Sequence, residues 1–219
     1  MEVSMKKVNK SLLSARNIAT LGVLLALVIV LQAFGGSFSI GAVTLNFSLI
    51  PIVLGALTLG PVAGAVLGFA NGVVVLIQVI QGISPFYVLI WTYSPVVTTL
   101  ICLLKTTIAG GVAGLVFRLI AKKNGYVATF VASALVPVIN TALFVLGCLC
   151  MPDTINMMNA DGVNIFVFIC VGLVTFNFFI ELAINLVVAP ALHTVYRVVE
   201  KQFYAGKARR KGELQEENK

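Results

Sequence analysis

TFNFFIELAINLVVAP, residues 175–190, is apolar enough for lipid, yet it carries Glu181 with Asn177 four residues before it and Asn185 four after. At about 3.6 residues per turn these three side chains stack on one face of a helix. A charge inside a bilayer is costly unless it faces a partner, a cavity or a ligand. The stripe therefore asks for a polar interior, and the rest of the chain must say what fills it.

The 219 residues are 59% hydrophobic and 11% charged, with a mean hydropathy of +1.05. A soluble domain of this length would expose too much apolar surface to stay dispersed. No Asp, Glu, Lys, Arg or His falls between Arg16 and Lys105, room for several spans of about 20 residues each. Backbone polar groups in lipid must be satisfied internally, which leaves helices as the spanning element. The N-terminus is basic and then apolar, like a signal peptide, but hydrophobic sequence simply continues and it reads as an uncleaved first span.

Gly, Pro and polar clusters divide the chain into six candidate helices, near 14–34, 47–59, 61–81, 94–121, 126–150 and 164–199. The expected layout is a basic N-terminus (1–13), a six-helix membrane domain (14–199) and a charged tail (200–219), whose last stretch, KARRKGELQEENK (207–219), is expected to be solvated and partly disordered. The second helix is short, carries Pro51 and meets the third at Gly60-Pro61, which predicts a tight helical hairpin. Lys6, Lys7, Lys10 and Arg16 precede span one, Arg118, Lys122 and Lys123 mark the turn after span four, and Arg197 to Lys211 follow span six. With six spans these clusters share one face, which places both termini in the cytoplasm, with Asp153 and Asp161 opposite. Net charge +7 is then explained by topology and anionic lipid, without nucleic acid.

Lys105 and Glu181 are expected near mid-membrane, with Asn71 and Asn140 at similar depth and Gln78 on the Asn71 face. One reading is structural: Lys105 and Glu181 neutralise each other while the amides join helices. The other is a pocket open to the outside, lined by Lys105, Glu181, Asn177, Asn140, Asn71 and Gln78. In the outer segments, 34–48 is glycine-rich and uncharged, suited to closing over a cavity. Residues 81–95 gather Tyr87 and Trp91, which serve either as interfacial anchors or as a cover on a ligand. On span one Ala15, Ala19, Gly22 and Ala26 form a small-residue stripe fit for close helix approach, within the bundle or against a second membrane subunit. The fragments 60–66 (GPVAGAV) and 110–116 (GGVAGLV) match through small packing residues.

The four cysteines read as packing residues, and neither a metal-ligand cluster nor a catalytic set stands out. No phosphate-binding loop is present, so the chain is not expected to hydrolyse ATP or to be an enzyme.

LNFSLIPIVLGALTLGPVAGAVLGFANGVVVLI (45–77), with its Phe-x-x-x-Pro and Gly-Pro-x-x-Gly, resembles helices two and three of the substrate-binding S components of energy-coupling factor (ECF) vitamin transporters. LLKTTIAGGVAGLVFRLI (103–120) is similar to their fourth helix, and Ala15-x-x-x-Ala19 to their scaffold-docking motif. The resemblance implies an all-α, six-helix, multi-pass protein of the cell membrane that binds a vitamin in an outward cavity. It also implies a transmembrane scaffold partner and two cytoplasmic ATPases, so that ATP is used by the partner subunits and no cofactor is bound by this chain. The family's binding positions correspond to Lys105, Asn140, Asn177 and Glu181. Pantothenate is preferred, since Lys105 suits its carboxylate and the amides and Glu181 its polar groups. Riboflavin and folate are the alternatives, and a membrane enzyme or accessory scaffold with a structural Lys–Glu pair is the competing class.

Overall fold

A computed structural model describes residues 15–35, 39–40, 43–44, 46–83, 85–158, 162 and 164–216. Lys6, Lys7, Lys10 and Asp161, together with the 1–13 segment and much of the loop near 36–45, lie outside the described residues. The chain is helical: α1 (Ala15–Gly35), α2 (Leu49–Thr58), α3 (Pro61–Ile80), α4 (Pro85–Tyr93), α5 (Pro95–Ile120), α6 (Gly125–Leu149), α7 (Pro152–Met158), α8 (Ile165–Val167) and α9 (Thr175–Glu216). A π-helical stretch, Phe168–Val174, joins α8 to α9. Two two-residue strands, β1 (Ser39–Ile40) and β2 (Val43–Thr44), pair antiparallel in the loop after α1.

Five helices are long and apolar enough to cross a membrane, where the sequence reading expected six. The difference is α2. Its ten residues rise about 15 Å, half the thickness of a hydrocarbon core. It is nonetheless sunk in the bundle, with Leu49, Ile52, Val53 and Ala56 fully buried. The turn into α3 is the expected hairpin: Gly60 at φ 104° takes a backbone conformation that side chains disfavour, and Pro61 opens α3, where a missing N–H costs nothing.

The tightest seam joins α3 to α5, and glycine makes it possible. A Cβ on Gly64 would lie 2.5 Å from Gly110 O, one on Gly72 2.5 Å from Cys102 O, and one on Gly68 would strike Thr106 O. Gly114 likewise faces Pro61. The matching fragments 60–66 and 110–116 thus pack on each other, backbone against backbone. Thr106 Oγ1 crosses the seam to donate to Gly68 O at 2.7 Å.

Two further differences concern the outer segments and the tail. The 82–93 loop contains a helix, α4, set off from α5 by a break at Ser94-Pro95, and it turns Phe86, Tyr87 and Ile90 inward. The helix α9 runs on to Glu216, into the tail, in keeping with a segment rich in the helix formers Ala, Lys, Arg, Glu and Gln.

Candidate functional site

Lys105 follows from the α3–α5 seam. Thr106 faces α3, so its neighbour is rotated about 100° around α5, into the space bounded by α4, α6 and α9. Its side chain is buried, 5% exposed. The ammonium donates to Tyr87 Oη at 2.8 Å and lies 5.3 Å from the Tyr87 ring centroid and 5.6 Å from that of Phe144. The two rings, 5.8 Å apart, form an aromatic cradle of the kind that attracts cations.

Glu181 is equally buried on α9. Its Oε1 accepts the backbone N–H of Asn46 at 2.9 Å, tying the end of the loop after α1 to the sixth expected span. Asn185, one turn on, donates Nδ2 to Glu181 O at 2.8 Å and so belongs to the helix interior, below the carboxylate. Just ahead, the π-helical stretch ends at Val174 and delivers Asn177, Phe178 and Glu181 to one wall. Such stretches widen a helix locally and often accompany functional sites. On α6, Asn140, Thr141 and Phe144 form the facing wall, one turn after Pro137.

Between these walls lies an open chamber, with about 480 Å³ of empty space when its mouth is included. Lys105, Glu181, Asn177, Asn140 and Tyr87 all line it. Among the described residues no ion pair joins Lys105 to Glu181; each charge has found a different partner. Asn140 Oδ1 is buried and, among the described residues, meets no hydrogen-bond donor. Among the described residues the Lys105 ammonium and the Glu181 carboxylate have no further hydrogen-bond partner, which leaves two ammonium protons and the remaining acceptor positions for a bound molecule.

Three expected positions do not line the chamber. Asn71 and Gln78 are buried on α3, but the face they share turns toward α1 and the start of α2. Trp91 lies one turn beyond Tyr87 on α4 and packs, half-buried, against the cluster around Phe86 and Ile90. Conversely, the sequence reading missed Gln32 and Asn46 as lining residues, along with the apolar side chains Val75, Phe144 and Phe178. Gln32 had a signal, being a lone amide near the end of an apolar span; Asn46 had none, since it acts through its main chain.

The small stripe Ala15, Ala19, Gly22 and Ala26 is exposed along α1, and a Cβ on Gly22 would meet no atom within 4 Å. The opposite face of α1 buries Asn17, Leu24, Val28 and Gln32 against the bundle.

A family model described as "ECF transporter, substrate-specific component" matches residues 16–193. Among curated proteins there is no match.

Proposed function

The chain belongs to the family of ECF transporter substrate-specific components, and from that premise we propose that it captures a water-soluble vitamin, pantothenate in preference to others, in the chamber between α4, α5, α6 and α9. The family is one of membrane transporter components, not of enzymes. The observation that carries the reading is the pair of opposite charges, Lys105 and Glu181, buried in one chamber and not joined to each other. Burying two ions without mutual pairing is costly unless a third group completes them. A carboxylate on Lys105 and hydroxyl or amide hydrogens on Glu181 and Asn140 supply what both lack, and pantothenate carries all three. Riboflavin is the second reading, favoured by the rings of Tyr87, Phe144 and Phe178 in the lining.

In this proposal the chain crosses the cell membrane six times, with α2 in the second passage and both termini in the cytoplasm. The exposed small stripe on α1 docks a transmembrane scaffold, and two ATPases on that scaffold consume the ATP. Purifying the chain from cells grown in rich medium and identifying its co-purifying small molecule by mass spectrometry tests the cargo. Recovery of pantothenate is the expected result. A chain that emerges empty and then ignores pantothenate, riboflavin and folate in titration defeats the reading.

A further inference from the structure

Gln32 lines the chamber from α1, and the hydrogen bonds around its side chain permit its amide one orientation. The fixed point is a main-chain carbonyl. Gln78 Nε2 donates to Gln32 O at 3.1 Å, and since a carbonyl only accepts, the nitrogen of Gln78 must face it. Gln78 Oε1 is thereby turned to the Gln32 side chain, where Nε2 donates to it at 3.0 Å. Gln32 Oε1 then faces Ser48 Oγ at 3.0 Å and takes the hydroxyl's single proton. Ser48 Oγ also lies 2.6 Å from Asn71 Oδ1. With its proton committed it can only accept, so the Asn71 amide is turned over, which also gives its otherwise unpartnered Nδ2 an acceptor. All four side chains are buried, Ser48 and Asn71 completely.

Gln32 Nε2 has a second hydrogen. Among the described residues no acceptor takes it, and Gln32 lines the chamber. We propose that Gln32 is a specificity-determining residue whose free N–H donates to an oxygen of the bound molecule, with Ser48, Gln78 and Asn71 as positioning residues that hold nitrogen, not oxygen, available. The assignment rests on the chamber being the vitamin site. It adds to the ammonium of Lys105 on α5 a neutral donor on α1, and it selects for a ligand that offers a carbonyl or hydroxyl oxygen at that point. Oxygen in place of nitrogen would repel such a ligand, as a buried acceptor facing an acceptor leaves both unsatisfied.

The test is titration calorimetry of pantothenate into the full chain in lipid nanodiscs, comparing wild type, Gln32→Leu, Ser48→Ala and the double variant. Gln32→Leu is expected to weaken binding about 10-fold or more, from the loss of one buried hydrogen bond. Ser48→Ala should weaken it less, and the double variant should be no weaker than Gln32→Leu, because Ser48 acts through Gln32. Losses that multiply in the double variant, or wild-type affinity in Gln32→Leu, overturn the assignment. Since Gln32→Leu strands two polar partners and can impair folding, Gln32→Glu, nearly equal in shape, provides a second reading. It should bind at least as weakly as Gln32→Leu, and unchanged affinity overturns the proposal. If the wild type takes riboflavin or folate instead, the same variants titrated with that vitamin carry the same outcomes. A wild type that binds none of the three removes the vitamin site and this assignment together, whereas an unaffected Gln32→Leu removes this assignment alone.

Discussion

Lys105 and Glu181 carry the proposed recognition, and the structure gives each a different neighbour. Lys105 leans on Tyr87 and Phe144. Replacing it by methionine keeps most of the volume and removes the charge, so the fold should persist while pantothenate affinity falls about 100-fold, roughly 2.7 kcal/mol. Calorimetry showing an unchanged dissociation constant would count against any role for Lys105 in recognition. Glu181→Gln retains an oxygen for the Asn46 N–H but exchanges a charged acceptor for a neutral one. A loss of about 10-fold in affinity is expected, because hydrogen bonds to charged groups are roughly twice as strong. If thermal stability drops while affinity holds, the carboxylate is structural. The sequence exposed both residues plainly, since ionisable groups in apolar helices stand out. It did not show Asn46, whose contribution is a main-chain N–H, nor that Asn71 and Gln78 face away from the chamber, since depth along a helix is legible but its rotation about its axis is not.

At the scale of the helix, the α3–α5 seam sets where Lys105 stands. Gly68 meets the main chain of Thr106, the residue beside Lys105, so even one methyl at Gly68 forces the two helices apart. Gly68→Ala should lower stability by about 1–3 kcal/mol, the range for overpacking, and should weaken ligand binding as well. Gly22→Ala serves as the control, since its Cβ meets open space. Equal melting temperatures for the two variants would show that the seam tolerates separation. The paired glycine-rich fragments were visible in the sequence as shared packing motifs, but that they pack against each other was not. The short helices α4 and α7 were missed because nine and seven residues give too few turns for a periodic pattern. Ser94-Pro95 both ends α4 and opens α5, and the proline marks only the opening in the sequence.

Across the whole molecule, orientation and docking become testable together. Cys150 is exposed at the end of α6 remote from the basic turn at Lys122 and Lys123, whereas Cys102 and Cys148 are buried. With the termini inside, a membrane-impermeant maleimide applied to intact cells should label Cys150, and Cys150→Ser should remove most of that signal. Labelling that requires broken cells would invert the topology. Docking through the outer face of α1 predicts that Ala19→Trp abolishes vitamin uptake while leaving the purified chain's affinity unchanged, within about twofold. Full uptake by that variant would exclude the stripe as the contact. Hydropathy and the distribution of Lys and Arg were sufficient by themselves to establish a helical membrane protein, its approximate spans and the presence of buried polar side chains, because transfer into lipid depends on composition over about 20 residues. Only the tertiary structure decided which of those side chains share a chamber, that Lys105 and Glu181 stand apart in it, and that the short α2 is sunk in the bundle. Those outcomes depend on how closely glycine lets neighbouring backbones approach and on how each helix is turned about its axis, and both are properties of contacts between segments distant in the chain.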